Sequence, residues 1–282
     1  MIVDSHQHFW QVGRFDYPWM TPQVDALCHD YLPATLEPVL ARHGVDQTIL
    51  VQASNSAPET QWLLDLSENN PFVAGVVGWV DLQSSDVGRQ LDQFISRAKF
   101  KGVRHLLESE PADDWLTQDA VVRGLNELAQ RDLSYDLLVH TRHLRYVRQV
   151  VEKNPRLRFV IDHVAKPPIK SGQIDQWAAG LKDVAAAGNV WCKLSGLVTE
   201  ADWANWRVED LIPYVDKALE CFGPERMMFG SDWPVCLLAA SYDQVLEAFH
   251  TLLADLSEQD RELIFSKNAA AFYRTQEQAI AA

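Results

Sequence analysis

The feature that most constrains the fold is a recurrence. Eight short runs dense in β-branched and apolar residues follow one another along the chain: Ile2–His8, Gln47–Ala53, Phe72–Leu82, Gly102–Leu107, Ser134–His140, Arg158–His163, Val190–Leu197 and Met227–Asp232. Between them the apolar residues repeat at helical spacing, as in Leu36, Val39 and Leu40, in Leu144, Val147, Val150 and Val151, and in Val245, Leu246, Phe249 and Leu252. Gly44, Gly188 and Gly223, with Pro71 and Pro155, mark helix ends before a new strand. Eight strand–helix pairs joined by right-handed crossovers predict a (β/α)8 barrel with parallel strands. The competing arrangement is a doubly wound open sheet. It lacks its signature, because no G-x-G-x-x-G follows the first run and polar residues close many runs instead of one switch point.

The whole chain, residues 1–282, reads as one such domain. Two segments depart from the repeat. Residues 9–32 form a long connection carrying Trp10, Phe15, Tyr17 and Trp19, which predicts a cover over the active face. Residues 259–274 carry Leu263, Ile264, Phe265, Ala269, Phe272 and Tyr273, which predicts a helix closing the barrel from below. Lys and Arg number 25 against 39 Asp and Glu, a net charge of −14, and the basic residues form no runs. Nucleic acid and anionic lipid are therefore excluded as partners. No apolar stretch is long enough to span a bilayer and MIVDSHQHFW has no signal-peptide pattern, so a cytoplasmic location is expected. The four cysteines show no C-x-x-C spacing and read as free thiols. Oligomeric state is not encoded in any of these features.

His6 and His8 alternate with Gln7, so their side chains point to one side at the end of the first strand. Two imidazoles on one face serve either as metal ligands or as a polar strand end. The same punctuation recurs: His140 closes the fifth run, His163 the sixth and Asp232 the eighth. In a barrel these ends meet at the C-terminal face, where active sites of this fold lie. Asp232, as a carboxylate at that mouth, could take a proton from water; alone it could equally be a turn residue before Pro234. Arg104 could bind a substrate oxygen if it faces inward, or pair with a helix carboxylate if it does not. Lys166 and Lys193 sit at strand ends and read either as oxyanion partners or as surface lysines, and Glu108 and Glu110 as loop acids. Trp10, Trp115, Trp203 and Trp233 follow strand ends; they could stack on the apolar face of a ligand or simply fill the core. Ser195 lacks a G-x-S-x-G elbow, so no serine-hydrolase triad is expected.

As a set, Asp4-Ser5-His6-Gln7-His8-Phe9-Trp10, Gly102-Val103-Arg104-His105, Asp162-His163-Val164-Ala165-Lys166-Pro167, Lys193-Leu194-Ser195-Gly196-Leu197 and Gly230-Ser231-Asp232-Trp233-Pro234 resemble the amidohydrolase superfamily, in its amidohydrolase 2 branch, over nearly the whole chain. That branch contains sugar lactonases. The resemblance implies that His6, His8 and Asp232, with His140 or His163, surround one divalent metal, zinc or manganese; it also allows activity without metal, since members of the branch differ in this. A binuclear centre is not implied, because the fourth strand ends Arg104-His105-Leu106-Leu107-Glu108 without a bridging lysine. The implied reaction is opening of an aldonolactone, of L-fucono or L-rhamnono type, to the free acid. Asp232, His163 and His140 would be catalytic, and Arg104, Trp10, Lys166 and Trp233 would contact the substrate. Alternatives are a dicarboxylate or pyrone lactone hydrolase, a related decarboxylase, or a silent barrel that binds a sugar acid.

Overall fold

A computed structural model describes residues 1–275. Eight strands, β1 (Val3–Gln7), β2 (Gln47–Val51), β3 (Val73–Gly78), β4 (Phe100–Leu106), β5 (Ser134–Leu138), β6 (Arg158–Ile161), β7 (Val190–Leu194) and β8 (Met227–Phe229), lie side by side in sequence order. All adjacent pairs are parallel. Hydrogen bonds from Asp232 N to His6 O (2.8 Å) and from His8 N to Trp233 O (2.7 Å) join the last strand end to the first and close the barrel at its mouth. The strands are buried on both faces, which is why they read as continuous apolar runs and not as alternation. No helix among the described residues is long and apolar enough to cross a membrane.

The outer layer follows from helical periodicity. In the helix Leu144–Lys153, Leu144, Val147, Val150 and Val151 share one face and are buried against the sheet; each such side chain contributes about 1.5–3 kcal/mol relative to exposure. Below the barrel, Ala269, Phe272 and Tyr273 of the helix Asn268–Tyr273 pack into a separate apolar cluster with Val3, Ile49, Val51, Val77, Val160 and Met228.

Two local features aim side chains. The β1–β2 register shifts between Asp4 and Gln7, placing one extra residue in β1. This bulge lets Val3 join the lower cluster while His6 turns toward Asp232 and His8 lines the mouth, although strict alternation would put Val3 and His6 on opposite faces. The segment 9–32 folds over the mouth. Trp10 pairs with Tyr31 in an antiparallel bridge, Trp19 donates its indole N–H to Ala53 O (2.8 Å), and Ser54 Oγ donates to Asp16 O (2.8 Å).

Candidate active site

The mouth is a cavity of about 810 Å³ whose lining includes His8, Arg104, His163 and Asp232 on the floor, Phe15 and Trp19 from the covering segment, and Glu108, Lys166, Glu200 and Trp203 on the rim. Backbone strain concentrates at its floor. Asp232 (φ 58°) and the run His163 to Lys166 (φ 53°, 52°, 61° and 47°) all occupy the left-handed region, a conformation that costs about 1–3 kcal/mol per non-glycine residue and that collects at functional sites. Gly196 makes room for His163: a Cβ there would lie 2.6 Å from the Nδ1 atom of the ring. Gly230 does the same for His6, whose Cβ would be 2.8 Å from a Cβ at that position.

Asp232 Oδ1 lies 3.4 Å from His8 Nε2 and 3.8 Å from both His6 Nε2 and His163 Nε2. His8 Nδ1–H donates to Val51 O (2.8 Å), because a carbonyl can only accept; its Nε2 is therefore a bare lone pair. That lone pair faces Asp232 Oδ1, a buried oxygen with no hydrogen-bond partner. Burial holds His6 well below the ordinary imidazole range, lowers His8, and brings His163 down to about 4, so the rings are neutral at neutral pH. Burial acts to raise Asp232, but its electrostatic interactions with the surrounding imidazoles, His163 foremost, outweigh it and hold the carboxyl below its usual range. An orphaned carboxylate oxygen, the bare Nε2 of His8 and the Nε2 atom of His6 converging at such distances have the chemistry of a divalent-cation site, and His6, His8 and Asp232 fit it. His163 stands beside them.

The remaining residues separate into those that line the cavity and those that do not. Arg104 faces inward, in register with Asp136, while His105 points outward against Trp79 and Trp115. Its guanidinium is largely engaged, with Nη1 3.1 Å from Asp162 Oδ2 and Nη2 on Gln52, so it acts as a fixed positive charge under the site more than as a free hand for substrate. Lys166 lines the rim, bridging Glu108 (2.7 Å) and Glu200 (3.5 Å). Trp10 lines the cavity with its ring, but its indole N–H is spent on Leu27 O and His29 O. His140 stands apart from the imidazole–carboxylate cluster. Leu138, two residues earlier, takes the cavity-lining place on β5, and the His140 imidazole meets Glu108 (2.9 Å). Trp233 is buried against Phe9 and Tyr31 and is absent from the cavity wall; the chain turns there to anchor the cover.

Sequence reasoning missed Asp162. It is fully buried, lies 3.3 Å from His6 Nδ1, and carries both Arg104 and Lys193. Its only signal was its place next to His163 at a strand end. Lys193, read as a strand-end or surface lysine, is also fully buried. Glu108, read as a loop acid, belongs to the cavity wall.

A parallel eight-stranded barrel whose first, sixth and eighth strand ends bring imidazoles and a carboxylate to one mouth defines the class of (β/α)8-barrel hydrolases. Within that class the chain belongs to the amidohydrolase family, whose model, described as "Amidohydrolase", matches residues 3–275. It is 39% identical to an L-fucono-1,5-lactonase of Burkholderia ambifaria over 96% of this chain and 95% of that one. It is also 39% identical to an L-fucono-1,5-lactonase of Burkholderia multivorans, over 98% and 97%. Among solved structures, an amidohydrolase from Burkholderia multivorans with bound zinc superposes with a TM-score of 0.93 at 37% identity, covering 97% of this chain and 99% of that one.

Proposed function

We propose that this protein hydrolyses a neutral sugar-acid lactone, of the L-fucono-1,5 type named for its relatives, to the open acid. The observation that carries the choice of substrate is the charge state of the cavity wall. The Arg104 guanidinium is held by Asp162 and Gln52, and Lys166 is shared by two carboxylates. Asp16, Glu108, Glu200 and Asp232 also line the space. Among the described residues lining the cavity, no Lys or Arg is left for a substrate carboxylate, which disfavours a pyrone dicarboxylate or an aromatic acid. Carboxylates and a paired lysine are instead suited to reading hydroxyl groups, and Trp203, 40% exposed at the mouth, offers an apolar face for a sugar ring.

In the reaction water adds to the lactone carbonyl carbon, the ring C–O bond breaks, and the departing alkoxide takes a proton. Asp232, ionised and without a hydrogen-bond donor on Oδ1, accepts the proton of the attacking water and returns it to the ring oxygen. His163, neutral and fixed through Nδ1 against Ser195 Oγ (2.9 Å), presents Nε2 beside Asp232. Arg104 supplies positive potential under the developing oxyanion. A zinc or manganese ion held by His6, His8 and Asp232 would polarise the carbonyl and acidify water.

The experiment is acid release from a panel of 1,4- and 1,5-aldonolactones and a pyrone dicarboxylate. Selective turnover of L-fucono-1,5-lactone, with kcat/KM at least about 100-fold above the dicarboxylate, is expected, since a wall of carboxylates with no Lys or Arg to spare rejects a substrate carboxylate it cannot pair. Turnover of the dicarboxylate alone would replace this reading, and ligand-induced stabilisation without turnover of any lactone would make the barrel a binding module.

A further inference from the structure

His6 is flanked at each ring nitrogen by one donor and one acceptor. At Nδ1 the donor is Lys193 Nζ (3.1 Å) and the acceptor Asp162 Oδ1 (3.3 Å). At Nε2 the donor is Arg104 Nη1 (3.2 Å) and the acceptor is the bare Nε2 of His8 (3.2 Å). Two self-consistent patterns follow from this symmetry. In one, Lys193 donates to Nδ1 and Nε2–H donates to His8. In the other, Nδ1–H donates to Asp162 and Nε2 is a lone pair facing Arg104 or a cation. Only the second can ligate a metal, because an imidazole nitrogen that carries a proton has no lone pair to offer.

Lys193 is held where it can impose the first pattern. It is fully buried, and its Nζ donates to Asp136 Oδ2 (2.6 Å), an oxygen that also accepts from Tyr273 Oη (2.7 Å) of the last helix. Its distance to His6 is thus set from the floor of the barrel. The ammonium also places a positive charge beside any cation bound at His6, His8 and Asp232.

We propose that Lys193 is a positioning residue that holds His6 in the tautomer with its proton on Nε2, and so weakens metal binding at the mouth. On metal binding the proton leaves Nε2 and returns on Nδ1 toward Asp162, and His6 stays neutral throughout. The inference rests on reading His6, His8 and Asp232 as a cation site and does not depend on which lactone is opened.

The test uses zinc alone, with the full chain first stripped of metal. Long-range 1H–15N spectra of histidine-labelled parent should show the His6 proton on Nε2, and on Nδ1 in Lys193→Met. Zinc affinity, measured by competition with a chromophoric chelator, should rise about tenfold or more in Lys193→Met; outer partners of metal ligands commonly shift affinity by about 10–100-fold. The double variant Lys193→Met/Asp136→Asn removes the carboxylate left unpaired, keeps the test open if the single variant folds poorly, and should show the same tighter binding. A lysine that only supports the fold predicts the reverse, since loosening the floor would weaken zinc. Equal or weaker zinc binding in folded variants, no zinc binding by the parent or variants, or a parent His6 already protonated on Nδ1 would each overturn the proposal. None of these outcomes depends on lactone turnover.

Discussion

The barrel interior and the cavity rim contain the same device in different surroundings. Inside, Lys193 lies between Asp136 (2.6 Å) and Asp162 (3.0 Å), with all three side chains fully buried. At the rim, Lys166 lies between Glu108 (2.7 Å) and Glu200 (3.5 Å), and the side chains keep between 21% and 40% of their exposure. The interior triad cannot exchange its partners for water, so it sets geometry; the rim triad can, so its groups are free to trade with substrate hydroxyls. Two further carboxylates extend the contrast. Asp232 is buried with imidazoles but no lysine or arginine in contact among the described residues, and Glu59 is buried and accepts from the backbone N–H groups of Ala53 (3.0 Å) and Ser54 (2.9 Å).

Four measurements sharpen this comparison or break it. The largest effect belongs to the carboxylate without a cation of its own: Asp232→Asn should lower kcat about 10²–10⁴-fold with the unfolding curve intact, as loss of a general base does. Undiminished kcat in that variant would move the base elsewhere. Next, Lys193→Met should cost about 3–5 kcal/mol in urea unfolding, the price of leaving the buried Asp136 without its cation. A cost near zero would mean that the interior triad behaves like a surface one.

Third is pH. Burial raises Glu59 to about 7, above its ordinary value of 4.5. The folded state therefore binds this proton more tightly than the unfolded chain, and the group's contribution to stability is full below about pH 4.5 and lost as pH rises through about 7. Glu59→Gln should gain about 2–3 kcal/mol relative to the parent between pH 5 and 8 in chemical denaturation, removing that slope; an unchanged slope would show that another group sets it. The smallest effect is at the rim. Lys166→Met should change stability by at most about 1 kcal/mol yet raise KM about tenfold, as loss of one charged hydrogen bond does. A drop in kcat with constant KM would place Lys166 in the chemistry instead of in substrate reading.

The sites that were legible in the sequence share one property. His6, His8, His163 and Asp232 stand at strand ends, and any parallel barrel carries strand ends to one mouth. His140 was legible as a strand-end histidine but not as a neighbour of Glu108, because β5 stops at Leu138 and the imidazole rises above the floor. Trp233 followed the same logic and departed from it, since the left-handed backbone at Asp232 redirects the chain toward Phe9 and Tyr31. Arg104 could not be aimed from the sequence, because inward and outward strand positions are both buried in a barrel and alternation carries no polarity signal there.

The sequence by itself determined the strand order, the parallel barrel and the convergence of histidines with Asp232, because periodicity and crossover handedness are local and cumulative. Only the tertiary structure decided the partners inside the barrel. Lys193 meets His6 across 187 residues and Asp136 across 57, and the β1 bulge that turns His6 toward them leaves no mark on residue type. Local pattern specifies which face of an element is buried; which charged groups share that buried space depends on closure of the whole sheet.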